Sequence, residues 1–364
     1  MKWNINEYNF ISNYELRKGK ESEIKKERNH KYDILRIFAM LMIIIHHCTI
    51  NDFGLQRILR ENLKLYSKKQ ILILIFMNSI NIIGVNLFFL ISGYFRIKVS
   101  VKKFINIILQ LYVVCDLVIL IGIYNQKIKY NANTLLKIVN PIKDYWYISC
   151  YIGLMFFSTV LNKAIDEISF KESKNFYLQS LFFFSIYSFL NDGGINIGGG
   201  YSLIWAIILY LIGGMIKKFN IKSKFGFIIY FFCAIMNVIL VYSLYYGSLI
   251  LFNAWQIFKY NETFIFLQSL GLFTFTNYID LKIKNNHCIY FIDFLASSTL
   301  MTYLLHSSCW LTYFRKMPIQ YLLHASYFWV IILILPFYAF FIFIICSFIS
   351  FLYKKIIKKI KNIF

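Results

Sequence analysis

The chain of 364 residues is 59% apolar and 20% aromatic, with only 15% charged residues and a mean hydropathy of +0.59. Those values exclude an ordinary soluble domain and describe a polytopic membrane protein in contact with a lipid bilayer. A net charge of +22 would suit a nucleic-acid binder. The lysines, however, gather between apolar runs instead of interleaving with aromatics on a polar face, which is the pattern of membrane loops and leaves no reason to expect nucleic acid. The seven cysteines are single, mostly inside apolar runs, without CxxC spacing, so neither a disulfide framework nor a metal site is expected.

Residues 1–31 are polar and mixed in charge and read as a cytoplasmic tail without a cleavable signal. The first span comes next, at 33–50. Residues 51–70 are charged, with Leu55, Ile58, Leu59, Leu63 and Leu65 at the spacing of an interfacial helix. A second span runs over 71–95. Further candidates lie at 104–124, 145–161, 175–190, 201–216, 225–246, 260–280, 288–313 and 325–353. The expected fold is therefore all-α, a polytopic membrane helix bundle of about ten transmembrane helices with both termini cytoplasmic. Roughly two-thirds of the lysines and arginines then fall in cytoplasmic segments. One membrane-embedded domain covers 32–353, and 354–364 is a basic tail suited to anionic lipid.

Ionisable groups inside a span are costly and mark cavities or partners. The first span holds Asp33 and Arg36 near its start and His46 and His47 near its end. At about 100° per residue, Arg36 and His47 share a helix face and lie roughly 16 Å apart along the axis, while His46 points about 80° away. With the assumed orientation, Arg36, Arg96, Lys98, Lys102 and Lys103 gather at the cytoplasmic mouth, and His47, Asp116 and His306 occupy the middle or outer half of the bilayer. The Asp144-Tyr145-Trp146-Tyr147 stretch reads by default as an outer aromatic belt. A neutral imidazole can take a proton from a sugar hydroxyl or accept an acyl group, and a cationic mouth suits a phosphate-rich donor such as a coenzyme A thioester. Acyl transfer is one chemistry that fits.

Two stretches carry a resemblance. Asp33-Ile34-Leu35-Arg36 and then, after ten residues, His47 resembles the opening pattern of the acyltransferase 3 family, and Gly84 to Tyr94, GVNLFFLISGY, is similar to its Phe-Phe, Ser-Gly signature. Trp146-Tyr147-Ile148, Gly213-Gly214 and Tyr303-Leu304-Leu305-His306 come after them in the right order. Where members often have an arginine-rich pair, this chain has Arg96, Lys98, Lys102 and Lys103. The proline common near the end of the fourth span is Thr159.

The resemblance implies an O-acyltransferase of the bacterial cytoplasmic membrane. It would move an acyl group, acetyl by expectation, from cytoplasmic acyl-CoA to a hydroxyl of a cell-surface polysaccharide or its lipid-linked precursor. No bound cofactor and no metal are expected; acetyl-CoA is a co-substrate. His47 would be the general base or transient acyl acceptor and Arg36 the group that orients the donor, with Asp33, His306 and Asp116 secondary. Arg96, Lys102 and Lys103 would contact the donor, and Asn86, Ser92 and Trp146 would shape the pocket. The alternative is an exporter of polysaccharide or lipid-linked sugar that uses the same polar passage without chemistry.

Overall fold

A computed structural model describes residues 30–126, 128–188, 197–247, 253–307 and 330–361. Most of the N-terminal tail lies outside these residues. So do 191–196 of the glycine-rich loop and 308–329, which hold the end of one expected span and the start of another. The described residues form helices and short connections, as a chain in hydrocarbon must when every backbone N–H and C=O needs an internal partner.

Helix α1, His30–His47, continues through a wide turn at Cys48–Asp52 into the short α2, Leu55–Glu61. The expected interfacial helix is thus only this short one, and its apolar residues Leu55, Ile58 and Leu59 are buried in the protein and not turned to lipid. Helix α3, Lys68–Asn81, begins with a capping box between Ser67 and Gln70. The second expected span is found as one membrane-length stretch, Lys68–Phe95, in which α3, ending at Asn81, passes through Ile82 and Ile83 into α4, Gly84–Phe95. At Gly84 a Cβ would come within 2.6 Å of the Ala39 carbonyl oxygen, so the glycine lets α4 start against the backbone of α1.

Helices α5, Val101–Tyr124, the short α6, Ala132–Val139, and α7, Trp146–Glu167, come next. Helix α8, Phe170–Gln179, is started by a second capping box, Ser169 with Glu172, and widens at Ser180–Tyr187. Then come α9, Leu203–Lys218, α10, Gly226–Tyr246, and α11, Thr263–Tyr278. The chain ends in α12, Asn286–Ala296, α13, Thr299–His306, and α14, Ile331–Lys361. Six helical stretches among the described residues are long and apolar enough to cross a membrane, and the bent pair α12–α13 makes a seventh. Helices α9 and α11, expected spans, have 16 residues each, or roughly 24 Å, shorter than the ~30 Å hydrocarbon layer.

Two close approaches organise the core. On α4, a Cβ at Gly93 would strike the Tyr210 carbonyl of α9, and on α9 a Cβ at Gly213 would strike the Leu90 carbonyl of α4. The two glycines thus let two backbones touch, the usual way that helices gain packing in a medium as apolar as their side chains. Beside them Asn86 is buried and fully engaged: its Nδ2 donates to the Tyr260 carbonyl at 2.9 Å and to Ser269 Oγ at 3.1 Å, and its Oδ1 accepts from Trp205 Nε1 at 3.1 Å. At the Arg36 end, Asn277 of α11 accepts from the hydroxyls of Tyr32 and Tyr94 and donates to the Ile221 carbonyl, tying α1 and α4 to the α9–α10 connection.

The 45° bend between α12 and α13 also has a local cause. Ser297 and Ser298 turn their hydroxyls back onto the carbonyls of Phe294 and Leu295, and Ser298 meets Ser347 of α14 at 2.6 Å. Side-chain back-bonding of this kind competes with the helix ladder and bends it. Both α12 and α13 pack on α1, and α13 ends with His306 beside the end of that helix.

Candidate active site

Helix α1 presents one stripe, Arg36, Met40, Ile43 and His47, at steps of four, three and four residues. The first three line a cavity of about 780 Å³. Its walls are mostly apolar, from α1, α4, α5, α7 and α13, and its mouth is basic, with Arg36, Arg96, Lys98 and Lys103. Asp33 is the single carboxylate on the lining among the described residues.

The basic groups are held in place. Arg36 Nη1 donates to Asp33 Oδ1 at 2.6 Å, and its guanidinium lies 5.0 Å from the centre of the Phe95 ring. Arg96 pairs with Asp166 of α7. Its φ of +56° sits at the turn that closes α4. Lys103 donates to the Tyr151 hydroxyl at 2.8 Å. Of the sequence candidates for donor contact, Arg96 and Lys103 reach the cavity; Lys102 is exposed and does not line it.

One helical turn past Ile43 stands His47, whose Nδ1 is 2.9 Å from His306 Nε2, with the two rings stacked at 5.0 Å. His306 is buried, and its Nδ1 lies 2.7 Å from the Thr302 carbonyl. A carbonyl oxygen only accepts, so His306 Nδ1 carries the hydrogen. In a neutral ring its Nε2 then holds the lone pair and accepts from His47 Nδ1–H. The lone pair of His47 is therefore on Nε2. A peptide carbonyl on α13 thus orders the hydrogens of a histidine pair that joins α13 to α1. His46 does something else, since it is buried with Nδ1 2.7 Å from Asn78 Oδ1.

The remaining candidates scatter. Ser92 lines the cavity and returns its hydroxyl to the Phe88 carbonyl. Asn86 is not on the lining, being tied up with Trp205, Tyr260 and Ser269. Trp146 is off the lining as well and packs with Tyr201 and Tyr260 at 4.7 and 5.8 Å. Asp116 lies on α5 away from the cavity, and its Oδ1 has no hydrogen-bond partner among the described residues.

The aromatic belt expected at residues 145–147 turns inward. Tyr145 is buried and donates to the Leu304 carbonyl, while Tyr147 faces the cavity. The connection before α7 is pinned to α13 by that bond, so these rings meet protein where headgroups were expected. Sequence reasoning also passed over Tyr151 and Tyr303 on the cavity wall; Tyr303 belongs to the same short motif as His306. A charged cluster at the start of α1 went unnoticed too: His30 Nδ1 is 3.7 Å from both Asp33 Oδ2 and Asp293 Oδ1. These three side chains bring ligand atoms within 4.8 Å of one another, and Asp33 shares its other oxygen with Arg36.

Basic groups at the mouth, mostly apolar walls and a histidine pair one helical turn past Ile43 thus lie along one face of α1. No curated protein and no solved structure matches the chain. The family model described as an acyltransferase domain, acyltransferase 3, matches residues 29–353, from the start of α1 deep into α14, and thus takes in both histidines, the cavity and the basic mouth. The chain belongs to the acyltransferase 3 family and is a membrane acyltransferase.

Proposed function

We propose that the protein is an O-acetyltransferase of a bacterial cytoplasmic membrane, taking acetyl from acetyl-CoA at the cytoplasmic face and passing it to a hydroxyl of a surface polysaccharide or its lipid-linked precursor. The observation that carries this reading is the chain from the Thr302 carbonyl through His306 to His47, which leaves a lone pair on His47 Nε2. The phosphates of the donor lie among Arg36, Arg96, Lys98 and Lys103, whose charges favour them. The pantetheine arm runs along the mostly apolar wall of the cavity. The acceptor hydroxyl gives its proton to His47 Nε2 as its oxygen attacks the thioester carbonyl. The new C–O bond forms, the C–S bond breaks, and the proton passes on to the departing thiolate. His306 holds the His47 ring in the productive tautomer and shares the positive charge while it lasts.

The test is covalent transfer. Radiolabelled acetyl-CoA, purified protein and host polysaccharide are expected to give labelled polysaccharide, and His47→Ala protein shown to reach the membrane is expected to give none. Unchanged labelling by His47→Ala overturns the proposal. Passage of unlabelled saccharide across sealed vesicles without any transfer of label assigns export instead.

A further inference from the structure

The cavity and the histidine pair do not meet directly. On α1 the deepest lining residue, Ile43, precedes His47 by four residues, about 6 Å of rise; on α13 Tyr303 precedes His306 by three, about 4.5 Å. The layer between is aromatic. Tyr147 lies with its ring 5.4 Å from Tyr303, and Tyr303 lies 6.0 Å from His306. Both tyrosines line the cavity. They are also hemmed in: Tyr147 has Phe89 at 5.0 Å, Phe88 at 6.2 Å and Tyr151 at 6.3 Å, and Tyr303 has Tyr145 at 5.9 Å. Rings packed on several sides cannot swing aside without moving their neighbours.

On the reading of the cavity as a donor site, the linear pantetheine arm lies against its mostly apolar wall. Its thioester must reach the tyrosine layer for the carbonyl carbon to come within reach of His47, so everything beyond the carbonyl occupies the space at the rings. We propose that Tyr147 and Tyr303 set the length of the transferred acyl group, admitting a two-carbon acyl and refusing longer chains. The inference rests on reading the cavity as the acyl-CoA site. Tyr303 is the stronger determinant, because it lines the cavity and also packs against His306. Removing its ring opens the space directly beside His306.

Binding of CoA thioethers, which cannot be transferred, separates this idea from the reading beneath it. Calorimetry on the full-length protein in lipid nanodiscs would compare CoA, S-ethyl-CoA and S-hexyl-CoA. The wild type is expected to hold S-ethyl-CoA at least about tenfold more tightly than S-hexyl-CoA, and Tyr303→Ala to erase or reverse that preference, since each added methylene then gains apolar contact in the opened space. Tyr147→Leu, which keeps an apolar wall, is the second variant and is expected to weaken the preference in the same direction. Equal wild-type affinities, or a preference that survives in both variants, overturn the proposal while leaving the CoA site standing. Failure of wild type to bind CoA or S-ethyl-CoA at all removes the donor site itself, and the length rule falls with it.

Discussion

His47 Nδ1 lies 2.9 Å from His306 Nε2 although 259 residues separate them in the chain. The pair is useful because it is asymmetric: the Thr302 carbonyl takes the hydrogen of His306, so His306 can only accept from His47. His306→Leu is expected to lower kcat by about 10²-fold with little change in donor KM, since it removes the orienting acceptor and leaves the cavity intact. His306→Gln, whose amide oxygen can still accept, is expected to keep more activity than His306→Leu. Steady-state kinetics of the two variants checks the order.

Acidification gives a second test of the same geometry. Protonated His47 has no lone pair at Nε2, so turnover is expected to fall on the acid side and donor binding, which depends on arginine and lysine charges, to persist there. A kcat that stays level through acidification while KM rises would contradict the base assignment.

Arg36 and Asp33 form a pair whose two halves differ in exposure: the Asp33 side chain is 2% exposed and that of Arg36 is 29%. Removing the arginine takes the ion-pair partner from Oδ1 of a buried carboxylate that keeps His30 near its other oxygen, whereas Asp33→Asn leaves a partly solvated cation. Arg36→Ala is therefore expected to cost roughly 2–3 kcal/mol of stability and Asp33→Asn less. Thermal unfolding in detergent ranks them. Arg36→Lys is expected to restore charge without the planar contact on Phe95, so donor affinity recovers only in part.

The Gly93 and Gly213 contacts predict that Gly93→Ala and Gly213→Ala each destabilise the fold by about 1–3 kcal/mol or more, because the added Cβ meets a backbone carbonyl that no rotamer change can move aside. The readout is the midpoint of thermal unfolding. Gly153, whose added Cβ would meet only the Leu203 side-chain tip, is the comparison and is expected to tolerate alanine better.

Asn86 predicts a stability phenotype without a kinetic one. Asn86→Ala unpairs the buried Trp205 Nε1–H and takes a donor from the Ser269 hydroxyl, at about 1–3 kcal/mol for each unsatisfied group. Folded Asn86→Ala protein is expected to keep its donor KM. A selective rise in KM would show that Asn86 reaches the donor after all.

Composition and periodicity were enough to establish an all-helical membrane protein, and helix geometry on one span put Arg36 and His47 on a shared face with His46 excluded. These are local properties: apolarity is summed over a window, and a 3.6-residue turn fixes which side chains align. Tertiary structure decided the rest. The close approach of α4 to α1 at Gly84 depends on the carbonyl of Ala39 lying against it, and the inward turn of Tyr145 and Tyr147 depends on the Leu304 carbonyl of α13. The apolar run at 201–216 had the length of α9, but the run at 260–280 overran the 16-residue α11, because a run's hydropathy says nothing of where its backbone ladder stops. Above all, no reading of α1 alone could show which nitrogen of His47 is basic. That is fixed by a hydrogen bond to a helix 259 residues away, and a sequence records neither the approach of two helices nor the direction of a proton between them.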